Sequence, residues 1–252
     1  MPSTLVHVAF TGAIATALLG RHFDVKAIAI VLVVAALIDL DTLVDVWWTG
    51  LHRALFHNLV WPAIALLILA WDLWWREDSV VQSRWGTYGV RVWWVAVVAA
   101  ALGHTLHDAF VNGVNLLWPL HDRFYQFEGK LFLSNHRGFV QTFFELETGD
   151  TTGGTTANTH YYTGVNPNSG ESPEDVERIF PIAYSGERFL LAVVGYVIVA
   201  VRIWETRGDT DLFDGDRFSH LLDRNARRVS RPPDRTSISV SPNSVNTRFQ
   251  SR

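Results

Sequence analysis

Residues 27–46, AIAIVLVVAALIDLDTLVDV, run from Ala27 to Ile38 without a charge and then carry Asp39, Asp41 and Asp45. At about 1.5 Å per residue, twenty helical positions cover roughly 30 Å, the thickness of a bilayer's hydrocarbon core. The run therefore reads as a membrane-spanning helix. An aspartate at the centre of such a helix costs at least ~2.5 kcal/mol, so carboxylates attached to a span mark a functional site by default. Trp47 and Trp48 close the stretch as an interfacial pair.

Working outward, Leu5 to Leu19 is apolar except for His7, Thr11 and Thr16, with Ser3 and Thr4 available as helix caps. No basic residue precedes it, so it reads as a first span and not as a leader. Beyond Trp48, a loop with Gly50, His52 and Arg53 leads into a third apolar stretch, Leu55 to Trp75, where Pro62 is expected to kink the helix. The polar segment Arg76–Arg91 connects to a fourth span, Val92 to Val114, and Phe189 to Trp204 forms a fifth. Between these last two, residues 122–147 mix aromatic and β-branched residues with polar ones, which predicts two or three short strands. Thr148 to Gly170 is rich in Thr, Gly and Asn and reads as loop.

The expected architecture is an all-α polytopic membrane protein of about five transmembrane helices with a small β-containing extracytoplasmic insert. Residues 1–120 form the membrane domain with the site, 121–186 the insert, 187–205 the fifth helix, and 206–252 a polar, Arg-rich disordered tail. The loops at 21–26 and 76–91 and the tail share one side and hold most of the Lys and Arg. The positive-inside rule then puts the C-terminus in the cytoplasm and the N-terminus outside the cell membrane.

Composition narrows the chemistry. The chain has no cysteine, which excludes disulfides and thiolate ligands, so a metal site must use His, Asp and Glu. A net charge of −4 argues against a nucleic-acid partner. The candidates converge at one membrane face. His7 lies near the end of span one, Asp39 and Asp41 at the end of span two, His52 and His57 around the start of span three, and His104 with Asp108 in span four. His104 and Asp108 are four apart and share a helical face. Asp39 and Asp41 are two apart, so both reach one site only if the helix ends there; otherwise one is a ligand and the other a supporting residue or general base. His52 and His57, five apart, need a loop-to-helix transition between them. Arg53 and His57 are expected to share a face, with Arg53 binding a substrate anion or pairing with an Asp. Asp45 reads as an interfacial charge, and His107 as a packing residue. A hydrogen-bonded helix pair explains His104 with Asp108 equally well when they are taken alone, but seven clustered groups are easier to satisfy around a cation.

In this order, His7, the IDLD of Asp39 and Asp41, the HRALFH of His52, Arg53 and His57, the LGHTLHD of His104 and Asp108, and the GVNLLWP from Gly113 to Pro119 resemble the LexA-regulated inner-membrane proteins of the YdjM-like family, described as metal-dependent hydrolases. The resemblance covers residues 1 to about 120. Ile38 stands where that family usually has Pro, and Thr42 where a His often follows the second Asp. The His104–Asp108 spacing is also similar to that of the zinc phospholipase C and nuclease group. The resemblance implies a divalent metal, zinc with manganese or iron as alternatives, held by His7, Asp39, Asp41, His52, His57, His104 and Asp108. Asp41, His57 and Arg53 are then the expected catalytic set. The expected substrate is a membrane lipid or another small phosphoester. A metal or proton transporter using the same ligands is the rival, and a scaffold working through the tail is a third reading. Oligomeric state is not legible in the sequence.

Overall fold

The computed structural model describes residues 3–127, 129–143, 154–167 and 176–207. All of these lie within one unit, Met1–Asp209. The expected tail, apart from its first two residues, falls outside them.

Helix α1 (Thr4–Leu19) starts where the Ser3 side chain accepts a hydrogen bond from the Val6 N–H. After a 3₁₀ turn, Asp24 caps α2 (Val25–Ile38) by accepting from the Ala27 N–H. Helix α2 ends at Asp39, and the chain turns before the single-turn α3 (Asp41–Val44). The break that would let both Asp39 and Asp41 reach one site is therefore present. Residues 51–59 are irregular and α4 (Val60–Trp74) begins later than the sequence suggests. Asn58, buried, causes the delay: its side-chain oxygen accepts from the Val60 and Trp61 N–H groups and caps the helix there. Pro62 falls in the first turn of α4, where its missing N–H costs nothing, so no kink is required.

Helix α5 (Val80–Ala100) is capped by Ser79 and starts within the segment expected to be a polar loop. It continues through a widened π-helical turn (Ala101–Leu106) into α6 (His107–Val111). Strands β1 (Leu131–Ser134) and β2 (Gly138–Gln141) pair antiparallel in the polar insert, and α7 (Gly186–Arg207) returns along α1. Among the described residues, four helical stretches are long and apolar enough to cross a membrane: Thr4–His22, Val25–Val44, Val80–Val111 and Gly186–Arg207. The third expected span, α4, is apolar but only 15 residues long.

Within the described helices, two glycines permit close backbone approach. A Cβ on Gly195 would lie 2.5 Å from the Ala9 carbonyl oxygen, where α7 meets α1. A Cβ on Gly103 would lie 2.7 Å from the Cα of Thr11, where the π turn meets α1. On the far side of these contacts from the aspartates, α1, α2, α5 and α7 enclose an apolar core built from residues such as Ala15, Leu19, Ile28, Val31, Val95 and Ala99. The buried histidines and carboxylates stand on that floor.

Candidate metal centre

The π turn carries His104, and such insertions recur at functional sites because they re-aim a side chain within an otherwise regular helix. His104 is fully buried and its Nδ1 lies 2.9 Å from the Ala35 carbonyl. A carbonyl only accepts, so Nδ1 carries the proton and donates, and Nε2 presents its lone pair to the interior. His57 is fixed in the same way by a different partner: its Nδ1–H donates to Asp41 Oδ2 at 2.7 Å, leaving Nε2 facing inward. These two Nε2 atoms lie 3.1 Å apart. Asp39 Oδ1 is 3.2 Å from His104 Nε2 and 3.3 Å from His57 Nε2, and Asp108 Oδ2 is 3.5 Å from His57 Nε2.

Asp39 Oδ1, His57 Nε2 and His104 Nε2 thus point at one another with no donor among them while both rings are neutral, and Asp108 Oδ2 meets this trio through His57. For a tetrahedral site with bonds of about 2.0–2.1 Å, the ligand-to-ligand edges are roughly 3.3–3.4 Å. The three edges of the Asp39–His57–His104 trio, 3.1, 3.2 and 3.3 Å, lie close to that value. These buried groups could therefore hold a divalent cation. His7 stands beside them: its ring stacks on His104 at 3.9 Å with an interplanar angle of 4°, and its Nε2 is 3.3 Å from Asp108 Oδ1. Asp108 so spans two environments, one oxygen toward His57 and the other toward His7 and the Arg53 guanidinium, whose NH2 donates at 3.4 Å. His107 packs edge-on against His7 and Phe10, as its place on the helix suggests.

Asp41 and His52 lie one layer out. Both Asp41 oxygens accept hydrogen bonds, Oδ1 from His52 Nδ1 at 2.8 Å and Oδ2 from His57 Nδ1, with a further bond from the Arg53 backbone N–H at 3.1 Å. The two His contacts are shorter than a tetrahedral edge and have the length of charge-assisted hydrogen bonds. Although Asp41, His52 and His57 also lie close enough together to be a potential ligand group, this bonding makes Asp41 the residue that orients His57. Carboxylates of this kind typically raise metal affinity 10- to 100-fold. Asp41→Asn is accordingly expected to weaken metal binding by that factor, measured by competition with a chromogenic chelator. Unchanged affinity would show that Asp41 does not support the site.

Arg53 does not share a helical face with His57, because the chain there is irregular and Arg53 itself has φ +67°. That conformation turns its buried side chain toward the Gly113 carbonyl, to which NH1 donates at 3.1 Å, and under the Tyr161 ring at 4.8 Å. Asp45 is not an interfacial charge. It is 2% exposed and accepts from the Gly50 and His52 N–H groups and from the Asn166 side chain. It organises the turn that carries His52 and fastens the insert to it. Sequence reasoning missed this role; the available signal was an aspartate four residues beyond Asp41. The insert has a second anchor at Asp122. Burial opposes ionisation of this carboxyl, but hydrogen bonds from Thr156 and Asn115 outweigh it and hold the group below the usual carboxylate range.

No curated protein sequence and no solved structure shows a significant match to the chain. A family model does, over residues 1–166, a range that includes every histidine and aspartate of the centre as well as Tyr161 and Asn166. The chain belongs to the YdjM inner membrane protein family.

Proposed function

We propose that this membrane protein is a metal-dependent hydrolase acting on a phosphoester at the membrane surface. The reading rests on one observation: His57 Nε2, His104 Nε2 and Asp39 Oδ1 face one another as acceptors, with Asp108 Oδ2 against His57 and the ring protons of both histidines committed to Asp41 and Ala35. Neutral imidazole and carboxylate donors without thiolate suit zinc, and also manganese or iron. A cation held there supplies Lewis acidity to a phosphoryl oxygen and makes water a nucleophile near neutral pH.

The chain's own residues supply the rest. Asp41 keeps His57 in the tautomer that offers Nε2. Arg53, fixed through Gly113 and Asp108, holds positive charge beside Asp108 on the cavity that Asp39 also lines, where an anionic phosphoryl oxygen would otherwise meet only carboxylates. Hydrolysis adds water across the ester: a P–O bond forms, the ester P–O bond breaks, and the leaving alcohol takes a proton. The positive-inside rule favours the centre and the insert on the outer side, with the C-terminus cytoplasmic. A transporter requires polar groups through the remaining depth of the bundle, and the apolar floor of α1, α2, α5 and α7 does not offer them.

The test is elemental analysis of the purified protein followed by turnover of bis(p-nitrophenyl) phosphate and of monoester and carboxylic ester substrates. Stoichiometric transition metal and His57-dependent turnover of a phosphoester are expected. Protein that carries no metal, or metal without any such turnover, would refute the reading.

A further inference from the structure

Asp39 is the one member of the quartet that is not sealed in, with its side chain 20% exposed, and it opens onto a cavity of about 590 Å³. That volume is ordinary for a small-molecule site. Asp39, Thr42, His52 and Arg53 form part of its lining. Arg53 and His52 are at least nine-tenths buried, and Arg53 Nε and His52 Nε2, which have no hydrogen-bond partner, lie within the wall behind its surface. The Arg53 guanidinium gives that wall the positive charge that an anionic headgroup oxygen requires.

Glu177 and Thr163 also line the cavity, together with five large apolar residues: Leu5 of α1, Leu40 just before α3, Leu43 within it, and Ile179 and Phe180 of the segment 176–184. They are 42–68% exposed, which is costly for five large hydrophobic side chains in water and costless against acyl chains. The cavity mouth also lies at the depth of an interface: α1 begins and α2 ends there, and the exposed Trp47 and Trp48 follow directly. The segment 176–184 is held in place from below, because the Ser3 hydroxyl donates to the Ile182 carbonyl.

We infer that the cavity takes a phospholipid laterally from the surrounding bilayer, phosphoester toward Asp39 and Arg53, acyl chain leaving between Leu5, Leu40 and Leu43 beneath Phe180. This rests on the proposed hydrolase reading for what happens to the headgroup and names its substrate class. A cavity of this size encloses the headgroup and the start of a chain and leaves the rest in the membrane.

The test uses the full chain reconstituted in phosphatidylglycerol vesicles containing a photoactivatable phosphatidylglycerol with the reactive group on its acyl chain. Crosslinks are expected to concentrate on residues 40–43 and 179–184. They are expected to drop at least tenfold there in Phe180→Asp and to persist in Phe180→Leu; Phe180 is exposed, so neither change disturbs folding. The same probe carried on diacylglycerol, which lacks the phosphoester, is expected to label the mouth no more than the lipid-facing side of α4. Equal labelling of mouth and α4 by the phospholipid, equal labelling by the two probes, or insensitivity to Phe180→Asp would each overturn the inference. Metal content and turnover of bis(p-nitrophenyl) phosphate, measured on the same preparation, separate the two readings. If they persist while lipid labelling fails, only the lipid assignment is lost. If labelling persists without metal or turnover, the hydrolase reading is lost.

Discussion

His104→Ala is expected to strip the protein of bound metal, leaving less than about a tenth of the wild-type stoichiometry, because an incomplete ligand set forfeits most of the binding free energy. His104 Nε2 makes two of the three edges of the Asp39–His57–His104 trio, to His57 and to Asp39. Its loss therefore opens the polyhedron on two sides. The change also removes the ring on which His7 stacks, so His7 cannot move in as a substitute without losing its own support. A second readout follows from linkage. A cation that binds only the folded chain adds about 2.7 kcal/mol when present at a hundredfold excess over its dissociation constant. Chelator should then lower the melting temperature of the wild type and leave that of His104→Ala unmoved. His107→Ala is the control: His107 touches the rim of the cluster through His7 but supplies none of the four inward acceptors. Metal retained in full by His104→Ala would refute a cation held by this quartet.

Gly103→Val is expected to do comparable damage without removing any ligand. A Cβ at this position would sit 2.5 Å from Thr11 Oγ1, 2.7 Å from Thr11 Cα and 2.8 Å from Thr11 N. A side-chain oxygen can rotate away, but the backbone of α1 cannot, so the helix must shift by a substantial part of an ångström. Overpacking of this kind costs about 1–3 kcal/mol. The displacement lands on the site, because His7 lies one turn before Thr11 and Gly103 adjoins His104. Both lower thermal stability and lost metal are expected, read by melting temperature and elemental analysis on one sample. Gly186→Ala, where an added Cβ meets nothing within 4 Å, should be silent in both. Full metal content in Gly103→Val would mean that the α1 contact does not position the centre.

The parts legible in the sequence are those with a local cause. Apolar runs long enough to cross a bilayer locate α1, α2, the end of α5 and α7, and the two-residue spacing of Asp39 and Asp41 already offers the two arrangements the structure combines, a helix break between them and one Asp supporting the other's site. The strands need only alternation around Ser134 to Gly138. What escapes depends on partners distant in sequence. Asp41 and Asp39 are indistinguishable as residues in IDLD; only the approach of His52 and His57 from the irregular segment 51–59 separates the orienting carboxylate from the inward one. That segment reads as partly helical because its apolar content continues into α4, and the cap at Asn58 is recognisable only once the helix start is known. Asp45 is hidden for the same reason, since Asn166, its partner from the insert, is 121 residues away. The π turn has no sequence signature at all; its consequence, the direction of His104, is a property of backbone winding.

The apolar floor beneath the centre bears on bioenergetics. In an energised membrane, the voltage falls mainly across the dry, poorly polarisable layer, which here is the packing of Ala15, Leu19, Ile28, Val31, Val95 and Ala99. The histidines and carboxylates stand to one side of that layer, beside the cavity that Asp39 lines. A charge moving between that cavity and Asp39 would cross little of the potential, so the proposed hydrolysis is expected to be electrically decoupled from the proton-motive force and to run equally well in vesicles whose membrane has been depolarised.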